Sequence, residues 1–210
     1  MAEAFNEDYF KHYAFFREKE SDYTNPLNHF AGNLNVHQFM LKLYQHKYSR
    51  LPSNFFDLGC GTGEEMAFYH NKGINVAGCD ISSYVLERKN PLVADGIHEI
   101  DSVSFLESFN DKADIILDST LQYLEDSDFY KLLNLIKEHA SETCVLGVIY
   151  DASNRNHPYR KQIHTQEEWN KILNSYGFKN AELEVKEVYT NSLISKDLLD
   201  LASKLIFTKV

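Results

Sequence analysis

The sequence has few cysteines, fewer basic than acidic residues and no long apolar run. Its three cysteines, Cys60, Cys79 and Cys144, are odd in number and indicate small core residues rather than a disulfide or metal framework. The 21 Lys and Arg against 31 Asp and Glu give a formal net charge of -10, which opposes binding to nucleic acid. No apolar stretch approaches the roughly 20 residues of a membrane helix, and the start of the chain lacks the basic and apolar regions of a secretory signal. We therefore expect a cytoplasmic protein that binds neither nucleic acid nor membranes.

The chain does contain enough apolar material for one full-sized domain. Hydrophobic residues make up 43% and aromatic residues 13% of its 210 residues, which excludes disorder of the whole chain. We predict one domain over residues 51–210, preceded by a helical N-terminal segment over residues 1–50. The second helix of that segment, Val36 to Tyr48, is predicted to pack on a sheet.

The most informative stretch begins at Phe55. The apolar run from Phe55 to Leu58 predicts a strand, and Gly59, Gly61 and Gly63 predict a tight turn before a helix. Glycines at these positions let the backbone take positive φ angles and approach a ligand closely, and the start of a helix favours negative groups.

A second predicted strand, Ile74 to Cys79, ends at Asp80. A carboxylate at the tip of a neighbouring strand can accept both hydroxyl hydrogens of a ribose. The unit therefore indicates a nucleoside site. Dinucleotide-binding folds carry G-x-G-x-x-G, whereas the glycines here follow G-x-G-x-G, with Asp57 two residues upstream.

The run D-L-G-C-G-T-G from Asp57 to Gly63, with Asp80 one strand later, resembles the first motif of the class I S-adenosylmethionine (SAM)-dependent methyltransferases. This resemblance implies a doubly wound, Rossmann-like α/β fold with a seven-stranded mixed sheet, an antiparallel closing strand and N-terminal helices. It implies SAM as cofactor and S-adenosylhomocysteine (SAH) as product, with Asp80 on the ribose and Asp101 on the adenine amino group. The implied cofactor-binding residues are Asp57, Gly59, Cys60, Gly61, Gly63, Asp80, Ile81, Asp101, Ser102, Asp118 and Ser119.

The rest of the domain has the expected alternation of strands and helices. The run from Ala113 to Leu117 predicts a strand buried on both faces, and with the residues up to Leu124 it resembles the fourth-strand motif of the family. Asp118-Ser119-Thr120-Leu121 stands where an N-P-P-Y tetrapeptide would indicate amino methylation of DNA bases or protein glutamine. The other predicted elements are helices at 82–89 and 126–139, a weak strand at 97–100, a strand at 143–150, a helix from the capping box at Thr165 to near Gly177, and closing strands at 178–189 and 201–210.

Methyl transfer from SAM needs placement of the acceptor more than a nucleophilic residue on the enzyme. A general base would help a hydroxyl acceptor by about 10² to 10⁴. The candidate catalytic residues are Asp118, His157 and His164, and no metal is expected.

The predicted loop from Asp151 to His164 is locally basic within an acidic protein. We predict that its cations hold an anionic small molecule, such as a phosphorylated or nucleotide-linked sugar or a small acid. The alternative is that they only solvate the loop. In the family the N-terminal segment often forms a lid over the site, but packing on one helix face also explains its aromatics and is the simpler interpretation for each of them. The candidate substrate-binding residues are Tyr13, Tyr23, Tyr150, Arg155, Tyr159, Arg160 and Lys161.

The sequence thus predicts a methyltransferase, monomeric or homodimeric, that methylates an oxygen ahead of a nitrogen of a small molecule. Two alternatives remain open at this point. One is a catalytically silent SAM- or SAH-binding sensor or partner subunit. The other is a nicotinamide-dependent oxidoreductase, which the glycine spacing disfavours.

Overall fold

The computed structural model describes residues 36–149, 159–190, 199–200 and 203–210. Seven strands and seven α-helices have defined bounds within these residues, with single 3₁₀ turns at Ala94–Gly96 and Leu121–Tyr123. The elements in chain order are α1 (Val36–Tyr48), β1 (Asn54–Leu58), α2 (Glu64–His70), β2 (Asn75–Asp80), α3 (Ser83–Leu86), β3 (Ile97–Glu99), α4 (Ser102–Ser108), β4 (Ala113–Asp118), α5 (Asp126–His139), β5 (Ala140–Val148), α6 (Gln166–Ser175), β6 (Phe178–Asn180), α7 (Glu182–Val188) and β7 (Ile206–Lys209).

The seven strands form one mixed sheet in the order β3-β2-β1-β4-β5-β7-β6. The strands β1 to β5 pair in parallel, and β7 lies antiparallel between β5 and β6. The predicted fold class is therefore confirmed. The strand order reverses between β1 and β4, and in open α/β sheets ligands bind outside the carboxyl ends of the strands at such a point.

The helix α1 packs on the sheet, as the sequence predicted. Met40 is fully buried against Gly147 of β5, where an added Cβ would lie 3.0 Å from the methionine Cε. The hydroxyl groups of Tyr44 and Thr143 lie 3.0 Å apart. The division of the chain at residue 50 stays a prediction. Among the described residues, every helix is too short or too polar to cross a membrane.

The prediction of a closing strand from Phe178 to Tyr189 was wrong beyond Asn180. The side chain of Asn180 accepts a hydrogen bond from Glu182 N at 3.0 Å, and α7 begins there. Lys186 then pairs with Glu182 one turn earlier, at 2.6 Å between Nζ and Oε1. Helical pairing four residues apart and the burial of Val185 outweigh the alternating pattern that suggested a strand.

Candidate functional site

The turn after β1 passes through three glycines in left-handed backbone conformations. The φ angles are +83° at Gly59, +55° at Gly61 and +87° at Gly63. A Cβ added at Gly59 would meet Thr120 Cγ2 at 2.7 Å, and one at Gly63 would meet Ile97 Cδ1 at 2.7 Å. Among the described residues, nothing lies within 4 Å of a Cβ at Gly61. The turn is packed at both ends and open in the middle, so a ligand can approach its backbone.

Asp80 ends β2 and binds this turn. Its Oδ2 accepts a hydrogen bond from Gly61 N at 2.9 Å, and its Oδ1 accepts one from Ser82 N at 2.8 Å. Burial raises the pKa of Asp80, although the N–H groups of Ser82 and Gly61 lower it in part. Each oxygen can accept another hydrogen bond. Asp80 is thus placed where the sequence predicted, followed by the half-buried Ile81, and the contacts of both residues with a cofactor stay predictions.

Asp57 lies under the turn with only 2% of its surface exposed. Its Oδ2 has no hydrogen-bond partner among the residues that the structure describes. Burial raises the pKa of Asp57 well above its ordinary range, and the negative charges of Glu65, Asp80 and Asp118 raise it further. Carboxyl groups from β1, α2, β2 and β4 therefore act on one another around the glycine turn.

Asp118 ends β4 and holds the chain that follows it. Its Oδ1 accepts hydrogen bonds from Thr120 N at 3.0 Å and Leu121 N at 2.9 Å, and its Oδ2 accepts one from Thr120 Oγ1 at 2.9 Å. Burial raises the pKa of Asp118 to about 6, against the lowering effect of these bonds. The carboxyl group thus has a clear structural function, and its function as base or cofactor ligand stays a prediction.

Two serines connect the neighbouring strand ends. Ser119 Oγ donates a hydrogen bond to the carbonyl oxygen of Gly59 at 3.0 Å. Ser102 Oγ lies 3.0 Å from Thr120 Oγ1, which links the start of α4 to the end of β4. Cys60 is buried in the turn, and its N–H donates to the carbonyl of Cys79 at 2.9 Å. The structure therefore brings together the glycine turn and the predicted cofactor residues at the ends of β1, β2 and β4.

Asp101 is exposed and caps α4. Its Oδ1 accepts a hydrogen bond from Ser104 N at 2.9 Å, and its Oδ2 accepts one from Ser104 Oγ at 2.7 Å. Burial would raise the pKa of Asp101, but the hydrogen bonds from Ser104 lower it overall. This cap was not foreseen from the sequence, and the predicted contact with adenine stays a prediction.

The described end of the predicted basic loop, residues 159–164, forms a basic segment that is attached to the turn after β4. The N–H groups of Lys161 and Gln162 donate to the carbonyl oxygen of Gln122 at 3.0 and 3.1 Å. Of the three cations predicted to bind the substrate, the structure describes two, and these differ in environment. Arg160 is buried, with 9% of its surface exposed, whereas Lys161 is exposed and its Nζ lies 2.9 Å from Glu125 Oε1.

Gln162 fixes this attachment through its side chain. Its Nε2 donates to the carbonyl oxygen of Leu124 at 3.0 Å and to Asp126 Oδ1 at 2.9 Å. Its Oε1 lies 3.1 Å from His164 Nε2, and the His164 ring packs edge-on against Trp169 at 5.3 Å between centroids. The catalytic role of His164 stays a prediction. Its half-buried ring is held in place by Gln162 and Trp169.

Several predicted residues have no described environment or only a partial one. Tyr159 is half-buried beside Arg160. Five candidates lie outside the described residues, namely Tyr13, Tyr23, Tyr150, Arg155 and His157.

Sequence reasoning missed two members of the site region. Glu65 acts on Asp57 through its charge, and Gln162 anchors the basic segment. Glu65 is the second residue after the motif and lies one helical turn before the buried Tyr69, so helical spacing could have identified it. In the part of the chain that the structure describes, no three His, Cys, Asp or Glu side chains are grouped so as to hold a metal ion.

No family model and no curated protein matches this sequence, but solved structures match its fold. The plantazolicin methyltransferase BamL, bound to a triazolic desmethylPZN analog and SAH, is 15% identical with a TM-score of 0.62, over 96% of this chain and 92% of that chain.

Two further structures are similar at a lower score. The O-methyltransferase from a trans-AT PKS multienzyme of Brevibacillus brevis, with SAH, is 18% identical with a TM-score of 0.54, over 89% of this chain and 74% of that one. The 1,6-didemethyltoxoflavin-N1-methyltransferase of Burkholderia thailandensis, bound to 1,6-didemethyltoxoflavin and SAH, is 15% identical with a TM-score of 0.53, over 78% and 81%. The chain has the class I SAM-dependent methyltransferase fold.

Proposed function

We propose that this protein is a SAM-dependent methyltransferase that methylates an oxygen, ahead of a nitrogen, of a small anionic molecule. Suitable acceptors are a phosphorylated or nucleotide-linked sugar or a small acid. One observation carries the proposal: the open backbone at Gly61 lies beside the Asp80 carboxylate at the carboxyl edge of the sheet. This arrangement supports a nucleoside ligand whose ribose hydroxyls bind Asp80.

The charge of the site supports SAM over a dinucleotide. Asp57, Glu65, Asp80 and Asp118 make the surroundings of the turn negative. SAM carries a positive sulfonium and a positive ammonium group against one carboxylate. The diphosphate of NAD carries two negative charges and would be repelled by the same carboxyl groups.

The residues of this chain would then act mainly by placement. Bound SAM supplies a methyl group on a positively charged sulfur, ready for in-line displacement by the acceptor oxygen. The glycine turn and Asp80 would bind the cofactor. Asp118 holds the neighbouring turn after β4 in place through its hydrogen bonds with Thr120 and Leu121. A hydroxyl acceptor also loses its proton, and Asp118 is our candidate to take it because burial raises its pKa to about 6.

The acceptor would be held by the segment attached to Gln122. Arg160 is buried, and its planar guanidinium matches a carboxylate or phosphate. The similar structures named above include an O-methyltransferase and an N1-methyltransferase. They support a small-molecule acceptor but do not distinguish an oxygen from a nitrogen acceptor, so the preference for oxygen is part of our proposal.

Isothermal titration of the purified protein with SAM, SAH and NAD tests the cofactor. We expect micromolar binding of SAM and SAH, no binding of NAD, and a loss of at least about tenfold in SAM affinity for Asp80→Asn. Asp95→Asn is the matched control, because Asp95 is exposed on the 3₁₀ turn before β3. Binding of NAD alone, or of none of the three, would overturn the proposal.

A further inference from the structure

Asp57 of β1 and Glu65 of α2 lie on the faces that these two elements turn toward each other, and the charge of Glu65 raises the pKa of Asp57. Phe55 stacks on Tyr69, with 4.0 Å between ring centroids. Asp57 lies two residues along β1 from Phe55 and shares its face of the sheet. Glu65 lies four residues before Tyr69 and shares its face of α2. After the glycine turn, α2 runs back along β1. Asp57 and Glu65 are therefore opposite each other nearer the turn than Phe55 and Tyr69 are.

The burial of the two carboxyl groups and the lack of a hydrogen-bond donor to Asp57 Oδ2 among the described residues oppose ionisation of both groups at once. Asp57 is 2% exposed, and its Oδ2 has no hydrogen-bond partner among the described residues. Glu65 is half-buried, and this burial is the main cause that raises its pKa, followed among the charges by Glu64. Two like charges placed together in a buried site disfavour double ionisation.

Among the residues that the structure describes, the other ionisable groups around the pair supply no positive charge. Asp80 and Asp118 are negative, and each is held by N–H groups of its own turn. Tyr69 donates its hydroxyl hydrogen to the carbonyl oxygen of His37 at 2.7 Å. The remaining neighbours are Cys60 and Tyr69, whose pKa values are raised, Glu64, which faces Asn90, and the buried His37, whose pKa burial lowers to about 4.

We propose that Glu65 and Asp57 form a carboxyl pair that holds one proton while the cofactor site is empty and releases it when positively charged SAM binds at the glycine turn. The inference rests on the proposed function, and it adds Glu65 as a determinant of cofactor affinity. The released proton passes to the solvent, and the pair then carries two negative charges against the positive ligand. SAM affinity should therefore rise with pH, by up to about tenfold per pH unit below the pKa of the pair.

Calorimetric titration of SAM in two buffers of different ionisation enthalpy, phosphate and Tris at the same pH and ionic strength, counts the protons released. We expect close to one proton per SAM for the wild type and close to none for Glu65→Gln, whose SAM affinity should also depend less on pH. Glu138→Gln is the control, since Glu138 is exposed near the end of α5. It lies at the amino ends of the parallel strands, whereas the glycine turn lies at their carboxyl ends. This control should release the same proton as the wild type.

A titration of the free protein, followed by carbon-13 NMR of its carboxyl groups, gives a second readout. It should show a carboxyl pair that titrates well above the ordinary range in the wild type and is absent in Glu65→Gln. SAM binding with no proton released, or no such titration, would overturn the inference while leaving the proposed function intact. Absence of both SAM and SAH binding would overturn the proposed function and this inference with it.

Discussion

Ser119 Oγ donates a hydrogen bond to the carbonyl oxygen of Gly59 at 3.0 Å. This contact joins the end of β4 to the start of the glycine turn, across the point where the strand order of the sheet reverses. The same turn is open at Gly61, two residues later. Two glycines of one motif therefore have different functions: Gly59 allows close packing of the protein on itself, and Gly61 leaves room for a ligand.

Substitution of these two glycines should separate stability from binding. Gly59→Ala should lower the free energy of unfolding by about 2 to 5 kcal/mol, because φ is +83° and the new Cβ would lie 2.7 Å from Thr120 Cγ2. Gly61→Ala should cost only about 1 kcal/mol but weaken SAM binding by at least about tenfold. Urea denaturation and calorimetry measure the two effects. A stable Gly59→Ala protein, or unchanged SAM affinity in Gly61→Ala, would contradict this division.

Asp118 should make stability fall as the pH rises from 4 to 7. Burial raises its pKa in the folded protein to about 6, above its ordinary value of 3.8, so the folded state binds the extra proton in this interval. The stabilisation is present below pH 4 and is lost as the pH passes the folded pKa. A difference of about 2 between the folded and the ordinary pKa corresponds to roughly 2 to 3 kcal/mol in the free energy of unfolding.

Asp118→Asn should remove this dependence while its amide oxygen still accepts the hydrogen bonds of Thr120 N and Leu121 N. The stability of the variant relative to the wild type should therefore rise by about 2 to 3 kcal/mol between pH 4 and pH 7. Urea denaturation across this range measures it. Asp111→Asn, at an exposed aspartate, is the control and should follow the wild type. Parallel curves for Asp118→Asn and the wild type would show that Asp118 is not the group responsible.

The sequence was sufficient for β1, β2 and β4 and for the glycine turn, because these depend on local patterns. Short, mainly apolar runs marked β1 and β4, although Asp57 and Asp114 lie within them, and the glycines with Asp80 marked the turn. It failed at α7, where alternation suggested a strand and the Asn180 cap with the Glu182 to Lys186 pair produced a helix.

The environment of the site could not be predicted in the same way, because it depends on contacts between distant parts of the chain. The basic loop was recognised by composition, but only the bonds to Gln122 show that its described end, residues 159–164, lies along the turn after β4. Lys161 and Arg160 were equivalent as sequence, and only the fold shows that one pairs with Glu125 at the surface while the other is buried.

The capping box at the start of α6 should contribute measurably to stability. Thr165 Oγ1 accepts a hydrogen bond from Glu168 N at 3.2 Å, and Glu168 Oε2 accepts one from Thr165 N at 2.7 Å. Thr165→Ala should lower the free energy of unfolding by about 1 kcal/mol. Ser175→Ala, at the exposed end of the same helix, should change it by less than about 0.5 kcal/mol. Equal effects of the two variants in urea denaturation would contradict a special role for the cap.

Arg160 and Lys161 should differ in their effects on acceptor kinetics. Arg160→Lys keeps a positive charge but loses the planar two-point contact with an anion. We expect it to raise the acceptor KM by at least about tenfold and to leave SAM affinity unchanged. Lys161→Ala is the control and should change the acceptor KM less than about threefold, because its ammonium group is exposed and paired with Glu125, and such pairs contribute little.

The measurement requires an acceptor, which a screen of phosphorylated sugars, nucleotide-linked sugars and small carboxylic acids with SAM should provide. Formation of SAH reports turnover, and calorimetry reports SAM affinity separately. If only uncharged acceptors are methylated, or if Arg160→Lys keeps the wild-type KM for an anionic one, the anionic acceptor must be abandoned. A loss of SAM affinity in Arg160→Lys would instead assign Arg160 to the cofactor side of the site.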